Sequence, residues 1–357
     1  MASKRNRTIV GLDIEPSHVS AAEATVNGRV AVQRAAVGAL PPGLMRDGEV
    51  TDVEGLSAAL KDFFAAHKLG RRVRLGVANQ RIVVRLIELP PVDDPRELDA
   101  VVRFQAQDNI PMPLDQAVLD YQPLGRVETP QGDRLRVVLV AARRDMIDRL
   151  VEAVRGAGLR PEGIDLSAFA MIRALGGGTD FATAPGEVVA GTLYVNVAGM
   201  TNLAIAAGSA CHFTRVAAVG VDTMVAELSE RRGLTLEHSE QWLGHVGLES
   251  PVDTVEGDPE IVSEARSVLA AGADRIVDEI RNSLDFYAGQ GASVTVGRAV
   301  ITGPAVSIPG FVSQLGSGVT VPVESGVVAE AQPGALHGVD PARVTVAAGL
   351  SAGEAGA

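Results

Sequence analysis

The 357-residue chain predicts an α/β protein of two lobes built on one plan, with an α+β subdomain inserted into the first lobe. Three observations predict it. Residues 8–68 read as strand, hairpin and helix. The same order of strand, glycine turn, paired strands and helix returns from residue 191. Between the two, residues 81–165 run in smaller units bracketed by prolines. At roughly 100–200 residues per domain the length accommodates two or three domains, and an apolar share of 46% supplies a core for each.

The elements follow in order. Residues 8–14 (Thr-Ile-Val-Gly-Leu-Asp-Ile) form an apolar run of strand length. Residues 19–26 and 29–37 read as two further strands joined by Asn27-Gly28, a pair that tolerates positive φ and gives the strongest short hairpin signal. In residues 53–68, Leu56, Leu60, Phe63 and Phe64 share one helical face and Gly70 follows as a stop. A strand at 73–77 closes this unit. In the insertion, strand 82–89, helix 95–109, strands 117–124 and 135–142 and helix 145–157 are expected. Pro90-Pro91 and Pro111-Met112-Pro113 flank its first helix, since proline fixes φ and removes a donor.

Residues 176–186, rich in Gly, Thr, Ala and Pro, read as the linker between lobes. Beyond it, strands at 191–197, 203–207 and 212–219 precede helices at 221–232 and 236–246. A long helix spans 264–290, with Val268, Ile276, Ile280, Leu284 and Tyr287 near helical spacing. Strands at 300–302 and 320–323 flank a short helix at 311–315.

Composition excludes several classes. With 32 basic and 44 acidic residues the net charge is −12, which argues against a duplex-DNA binder or a polybasic membrane patch, both of which need local positive potential. Lys4, Lys61 and Lys68 are the only lysines, and none follows a glycine loop. A Walker P-loop and Schiff-base chemistry are thereby excluded. Cys211 is the sole cysteine, so neither a disulfide framework nor a thiolate zinc site is expected, and a reducing, cytoplasmic setting is. No run approaches the roughly 20 apolar residues of a membrane span, and residues 8–14 are too short for a signal-peptide core.

Two motifs have ordinary readings. Gly349-Leu-Ser351-Ala-Gly353 matches the nucleophile elbow G-x-S-x-G, but no histidine or aspartate follows the serine, so a frayed terminal helix is expected. His238, Glu240 and His245 span two helical turns, too far for one ion without a third element, and read as a solvated face.

Three turns form a set. They are Gly11-Leu-Asp13-Ile-Glu15-Pro-Ser17-His-Val, then Tyr194-Val-Asn196-Val-Ala198-Gly199-Met-Thr201-Asn202, and finally Val300-Ile-Thr302-Gly303-Pro304-Ala305. Two facing hairpin turns that carry acids and glycines can clamp a triphosphate through backbone N–H groups, with Mg²⁺ held through water on a carboxylate.

With these turns in place, the chain resembles the actin-like ATPase superfamily and, within it, the type IV pilus assembly PilM family, relatives of the cell-division protein FtsA. The most specific runs are Ile87-Glu-Leu-Pro90-Pro91, Arg103-Phe104-Gln-Ala-Gln-Asp-Asn-Ile110-Pro111-Met-Pro113, Val118-Leu-Asp120-Tyr121-Gln, Val138-Leu-Val-Ala141-Ala142-Arg143, Ala157-Gly158-Leu159 and Ser283-Leu284-Asp285-Phe286-Tyr287.

The resemblance implies an actin-like, ribonuclease H-like duplicated two-lobed α/β fold with an inserted FtsA/PilM-type α+β (SHS2-like) subdomain. Residues 1–80 and 166–186 would make the first lobe (1A), completed by 340–357. Residues 81–165 would form the 1C-type insertion and 187–339 the second lobe. It implies ATP between the lobes, lined by Asp13, Ser17, Asn196, Gly199, Thr201, Gly220, Glu240 and Gly303, with Mg²⁺ on Asp13 through water. It also implies a cytoplasmic protein peripheral to the inner face of the plasma membrane, binding the tail of a PilN-like inner-membrane protein beside the insertion. Ile82, Val84, Leu86 and Phe104 are the candidate apolar contacts there, or equally core. A pilus motor ATPase and self-association are further partners implied; nucleic acid is not.

The departures from the family fall on the nucleotide site. Glu15 and Pro16 replace a glycine and a small residue in the first turn, and Ser20 stands where the family has lysine. Asn196 stands for aspartate and Ala198 for glycine in the second turn. Leu243 stands for lysine and Pro304 for glycine in the adenosine region. A carboxylate at Glu15 repels phosphate, and Pro16 has no N–H to donate. The expectation is therefore a non-catalytic scaffold with a degenerate nucleotide site. The alternatives are a Mg-ATP-binding ATPase on the same fold and an FtsA-like filament former, the latter disfavoured because the Ala/Gly-rich end after Leu350 carries no amphipathic membrane helix.

Overall fold

The computed structural model describes residues 8–129, 132–176, 190–290 and 294–353. The expected linker lies, from residue 177 to 186, outside the described residues. Strands β1 (Val10–Ile14), β2 (His18–Asn27) and β3 (Arg29–Ala39) are antiparallel neighbours, and Gly28 turns the hairpin at φ 74°. A two-residue ladder, β4 (Met45–Arg46) and β5 (Glu49–Val50), precedes α1 (Val53–His67), whose first turn is capped by the Asp52 carboxylate accepting from Gly55 N. Strand β6 (Arg72–Val77) then runs parallel to β1.

The insertion is a three-stranded antiparallel sheet with one helix: β7 (Val83–Leu89), α2 (Pro95–Asn109), β8 (Ala117–Thr129) and β9 (Gly132–Arg143), in the order β7-β9-β8. Leu98, Val102 and Ala106 of α2 pack on Ile87, Leu89, Val137 and Leu139 of the sheet. This subdomain closes at Arg143 rather than at residue 165. Helix α3 (Arg144–Gly156) puts Met146, Ile147 and Leu150 into the first-lobe core, and β10 (Arg160–Leu166) extends the first-lobe sheet in parallel beside β6. Periodicity identifies α3 as amphipathic but does not say which core it faces. Helix α4 (Ser167–Leu175) follows β10 directly.

In the second lobe β11 (Ala190–Val197), β12 (Thr201–Ala207) and β13 (Ala210–Ala217) form the antiparallel part. Helices α5 (Val221–Arg232), α6 (Leu236–Val246) and α7 (Pro259–Gly289) lead to β14 (Thr295–Thr302), α8 (Phe311–Gly318) and β15 (Val323–Ser325). Helix α7 starts five residues before the expected Glu264, because Asp258 caps the amides of Glu260 and Ile261 and Pro259 takes the first helical position. Among the described residues the sheet order is β13-β12-β11-β14-β15, and the first-lobe strands introduced above run β3-β2-β1-β6-β10. Each lobe is thus a three-strand meander continued by two parallel strands, the duplication that the element order predicts.

The chain returns to the first lobe earlier than residue 340. Strand β16 (Ala329–Glu330) pairs in parallel with β3, and Val328 and Leu336 pack on Ala22, Val30 and Val32. It ends in α9 (Thr345–Ser351), buried from Thr345 through Leu350. The frayed end expected from G-x-S-x-G is therefore a core helix, packed with α4 between the two sheets. A Cβ on Gly11 would lie 1.8 Å from Ala347 O, and one on Gly349 would lie 1.9 Å from Ala170 O. Ser351 Oγ donates to Ile9 O (2.7 Å) and accepts from Ala24 N (2.9 Å), tying the helix end to β1 and β2. Among the described residues no helix is long and apolar enough to cross a membrane.

Gly349→Ala should lower unfolding stability by about 3 kcal/mol or more, since two backbones must separate. Ser351→Ala should cost about 1–3 kcal/mol through the two part-buried backbone groups whose hydrogen bonds it removes. Urea denaturation midpoints at constant m-value check both.

Candidate functional site

The three turns converge between the lobes. Asp13 ends β1 on the face towards α4, where Ser167 Oγ donates to its Oδ1 at 3.3 Å. The β1–β2 turn is tight, with Glu15 N donating to His18 O (2.8 Å) and Leu40 N to Ser17 O (2.7 Å). The β11–β12 turn is closed by Ala198 N on Met200 O (3.1 Å), and Ala198 O accepts from Val221 N (2.7 Å), which anchors the start of α5. Gly220 is needed there, because a Cβ would approach Ala198 O to 2.4 Å. Gly303, at φ 92°, lies against Asn196, whose Oδ1 would be 2.4 Å from a Cβ.

Side chains bridge the two lobes across these turns. Glu15 Oε2 accepts from Gly199 N at 3.1 Å. Ser17 Oγ donates to Asp222 Oδ1 at 2.7 Å. Arg343, just before α9, pairs with Glu240 of α6, and His18 Nε2 lies 3.9 Å from the other Glu240 oxygen. Thr302 and Thr345 hydroxyls share a buried hydrogen bond of 2.9 Å. Beneath Glu15, a cavity of about 40 Å³ is lined by Asp13, Gly76, Ser167, Asn196 and Asn202. Asn202 Oδ1 is buried there without a hydrogen-bond partner among the described residues. The Gly199 amide of the second turn is thus already engaged by Glu15.

The sequence-predicted residues come together in part. Asp13, Ser17, Asn196, Gly199, Gly220 and Gly303 lie at the facing turns. Thr201 is fully buried and spends its hydroxyl on Val219 O (2.7 Å). Glu240 faces the cleft rather than a solvated helix face. Ser20 pairs with Asp13 across the hairpin, as a cleft position requires, whereas Leu243 is 1% exposed in the second-lobe core and no cleft position at all. Asp222, His18, Ser167 and Arg343 belong to the site and were not singled out in the sequence. Asp222 carried one signal, an acid in the first turn after Gly220.

Burial pushes the Glu15 carboxyl up to about 8; the Asp13 charge adds to this, the Gly199 amide opposes it, Asp222 adds a little and Arg343 subtracts. Burial likewise lifts Asp13 to about 6 against the Ser167 hydrogen bond, and lifts Asp222 despite its bond from Ser17. His18 is held below its ordinary value by burial and then by Arg343. Burial thus favours the neutral carboxylic acid at Glu15, which can hold the Gly199 amide through an acceptor oxygen without a charge.

A second concavity, of about 760 Å³, lies between the insertion and the second lobe. Its apolar lining includes Ile82, Met112, Phe213 and Phe286, and its charge comes from Arg81, Arg85, Arg143 and Arg215. Arg81 pairs with Glu49 and Arg215 with Glu279, while Arg85 meets only its neighbour's carbonyl, Val84 O, among the described residues. Strands β7 and β13, each at the edge of its sheet, flank the groove. Of the four expected contacts only Ile82 lines it. Val84 packs on the first-lobe core. Leu86, 37% exposed, sits on the sheet face away from α2, and Phe104, 65% exposed, on the outer side of α2, so the four do not share one surface.

A carboxyl whose pKa is raised on folding stabilises below its unfolded value, and that contribution is lost as pH rises through the folded value. For Glu15 the window runs from about 4.5 to about 8. Wild-type melting temperature should therefore fall between pH 7 and 8, where Asp13 and His18 have largely titrated, and Glu15→Gln should flatten that slope. A wild-type midpoint that rises over this interval contradicts the assignment.

Comparison with known proteins agrees with this geometry. The family profile of the type IV pilus assembly protein PilM matches residues 11–331. A solved PilM-PilN type IV pilus biogenesis complex superposes with a TM-score of 0.77 at 24% identity, covering 96% of this chain and 97% of that one. The ethanolamine utilization protein EutJ from Carboxydothermus hydrogenoformans superposes with a TM-score of 0.50 at 13% identity, covering 96% and 88%. The fold is the two-lobed actin-like α/β architecture, and with nine-tenths of its length matched by one profile the chain belongs to the type IV pilus assembly protein PilM family.

Proposed function

We propose that this PilM-family chain is a non-catalytic scaffold of a type IV pilus or related secretion platform, docked on the cytoplasmic tail of a PilN-like inner-membrane protein. Its insertion is the 1C-type, SHS2-like subdomain of that family, and the protein lies peripherally at the inner face of the membrane. The observation that carries the reading is the groove between the insertion and the second lobe. An extended segment can add to a free strand edge through its backbone while side chains enter apolar pockets. The groove is flanked by two such edges and offers a mainly apolar wall and, among the described residues, an arginine without a carboxylate partner, which favours a tail with apolar residues and an acid. The solved relative whose fold it shares is a complex with PilN.

The same reading makes the interlobe cleft a degenerate nucleotide site without ATP hydrolysis. Its support is the carboxyl of Glu15 on Gly199 N and the substitutions at Pro16, Asn196 and Pro304. An ATPase on this fold would instead show Mg²⁺-dependent nucleotide binding lost on Asp13→Ala.

Fluorescence anisotropy with a labelled tail of the membrane protein encoded beside this gene should show saturable binding at tens of micromolar or tighter, weakened about tenfold by Arg85→Glu, one charge-assisted contact of about 1.5 kcal/mol. No binding at that concentration contradicts the reading. Titration with a fluorescent ATP analogue and Mg²⁺ should be flat.

A further inference from the structure

We propose that Glu15 is a tethered substitute for a nucleotide phosphate, filling the second-lobe turn at Gly199 and, with the Ser17–Asp222 and Arg343–Glu240 pairs, clasping the lobes shut without a nucleotide. This deepens the degenerate-site reading and rests on it.

Three contacts across one cleft carry the inference. At the turn end, Glu15 Oε2 takes the Gly199 N–H at 3.1 Å. That backbone donor, at the tip of a hairpin facing another hairpin, is the group such a turn offers to an anionic oxygen. In the middle, Ser17 Oγ takes Asp222 Oδ1 at 2.7 Å. On the α6 side, Arg343 takes Glu240 and leaves His18 as its second neighbour. Each pair joins a first-lobe element to a second-lobe element, over 184, 205 and 103 positions of sequence respectively. The residual space beneath Glu15, about 40 Å³, has room for a few waters.

Glu15 fits this role by length. Its carboxyl reaches across the turn because Pro16 fixes the following φ and gives up the N–H that would otherwise compete for an oxygen. Gly199 has no side chain to stand in the way: a Cβ there would lie 2.7 Å from Asp222 Oδ2 and 3.3 Å from Pro16 Cδ. Opening the cleft to a phosphate therefore requires the Glu15–Gly199 contact to break first, which makes Glu15 the residue that sets what the cleft accepts.

Hydrogen–deuterium exchange on the full chain tests it, comparing wild type, Glu15→Ala and Glu15→Gln with and without millimolar Mg-ATP. Glu15→Ala should speed exchange of the Gly199 turn about tenfold while β1 and β11 stay protected, because only a local opening is released. Glu15→Gln keeps an acceptor oxygen at the same reach and should stay within about twofold of wild type. A Gly199 turn equally protected in Glu15→Ala overturns the inference and leaves the degenerate-site reading standing. Protection of the wild-type turn by Mg-ATP overturns the reading itself, and the clasp with it.

Discussion

The backbone of α9 lies against β1 at a distance that only Gly11 permits, and much of the molecule follows from that contact. It fixes the helix that returns from the second lobe onto the strand whose end carries Asp13 and Glu15. The residues just before α9, Arg343 and Thr345, are thereby held within reach of Glu240 and Thr302 of the second lobe. On its other side α9 meets α4 through Gly349, so two helices packed at backbone distance separate the sheets and set how closely the two hairpin turns face each other.

Glu15 acts by occupation more than by charge. A buried carboxylate beside Asp13 would be costly, and the proton it keeps to about pH 8 removes that cost. What remains is a polar group of the right length bound to a backbone amide. The excess of acids over bases in the chain, first a reason to set nucleic acid aside, is locally a set of three carboxyls, Asp13, Glu15 and Asp222, in one cleft, each shifted upward by burial. Such a cluster is compatible with a closed cleft because Ser167, Gly199 and Ser17 each donate to one of its members.

Local chemistry made most of the fold legible. The Asn27-Gly28 hairpin and the proline-bracketed α2 are read from a few residues each, and the repeated meander gave the two lobes. Elements that depend on distant partners were not legible. Strand β10, Arg-Pro-Glu-Gly-Ile-Asp-Leu, has neither alternation nor an apolar run and is a strand because β6 offers it an edge. The end of the insertion is not legible because α3 is amphipathic whichever core it serves. In the cleft, the turns and their glycines were visible, while Arg343 is one of 29 arginines and finds Glu240 only through the packing of α9. Leu243 was misplaced because a helix position has no face until its neighbours are known; here the face belongs to the second-lobe core.

Small-angle X-ray scattering of the nucleotide-free chain tests the central claim, that its own side chains hold the lobes together. A clasped chain gives a scattering profile matching the closed two-lobed structure, unchanged on adding Mg-ATP. A nucleotide-free chain with a larger radius of gyration that contracts when Mg-ATP is added would contradict it.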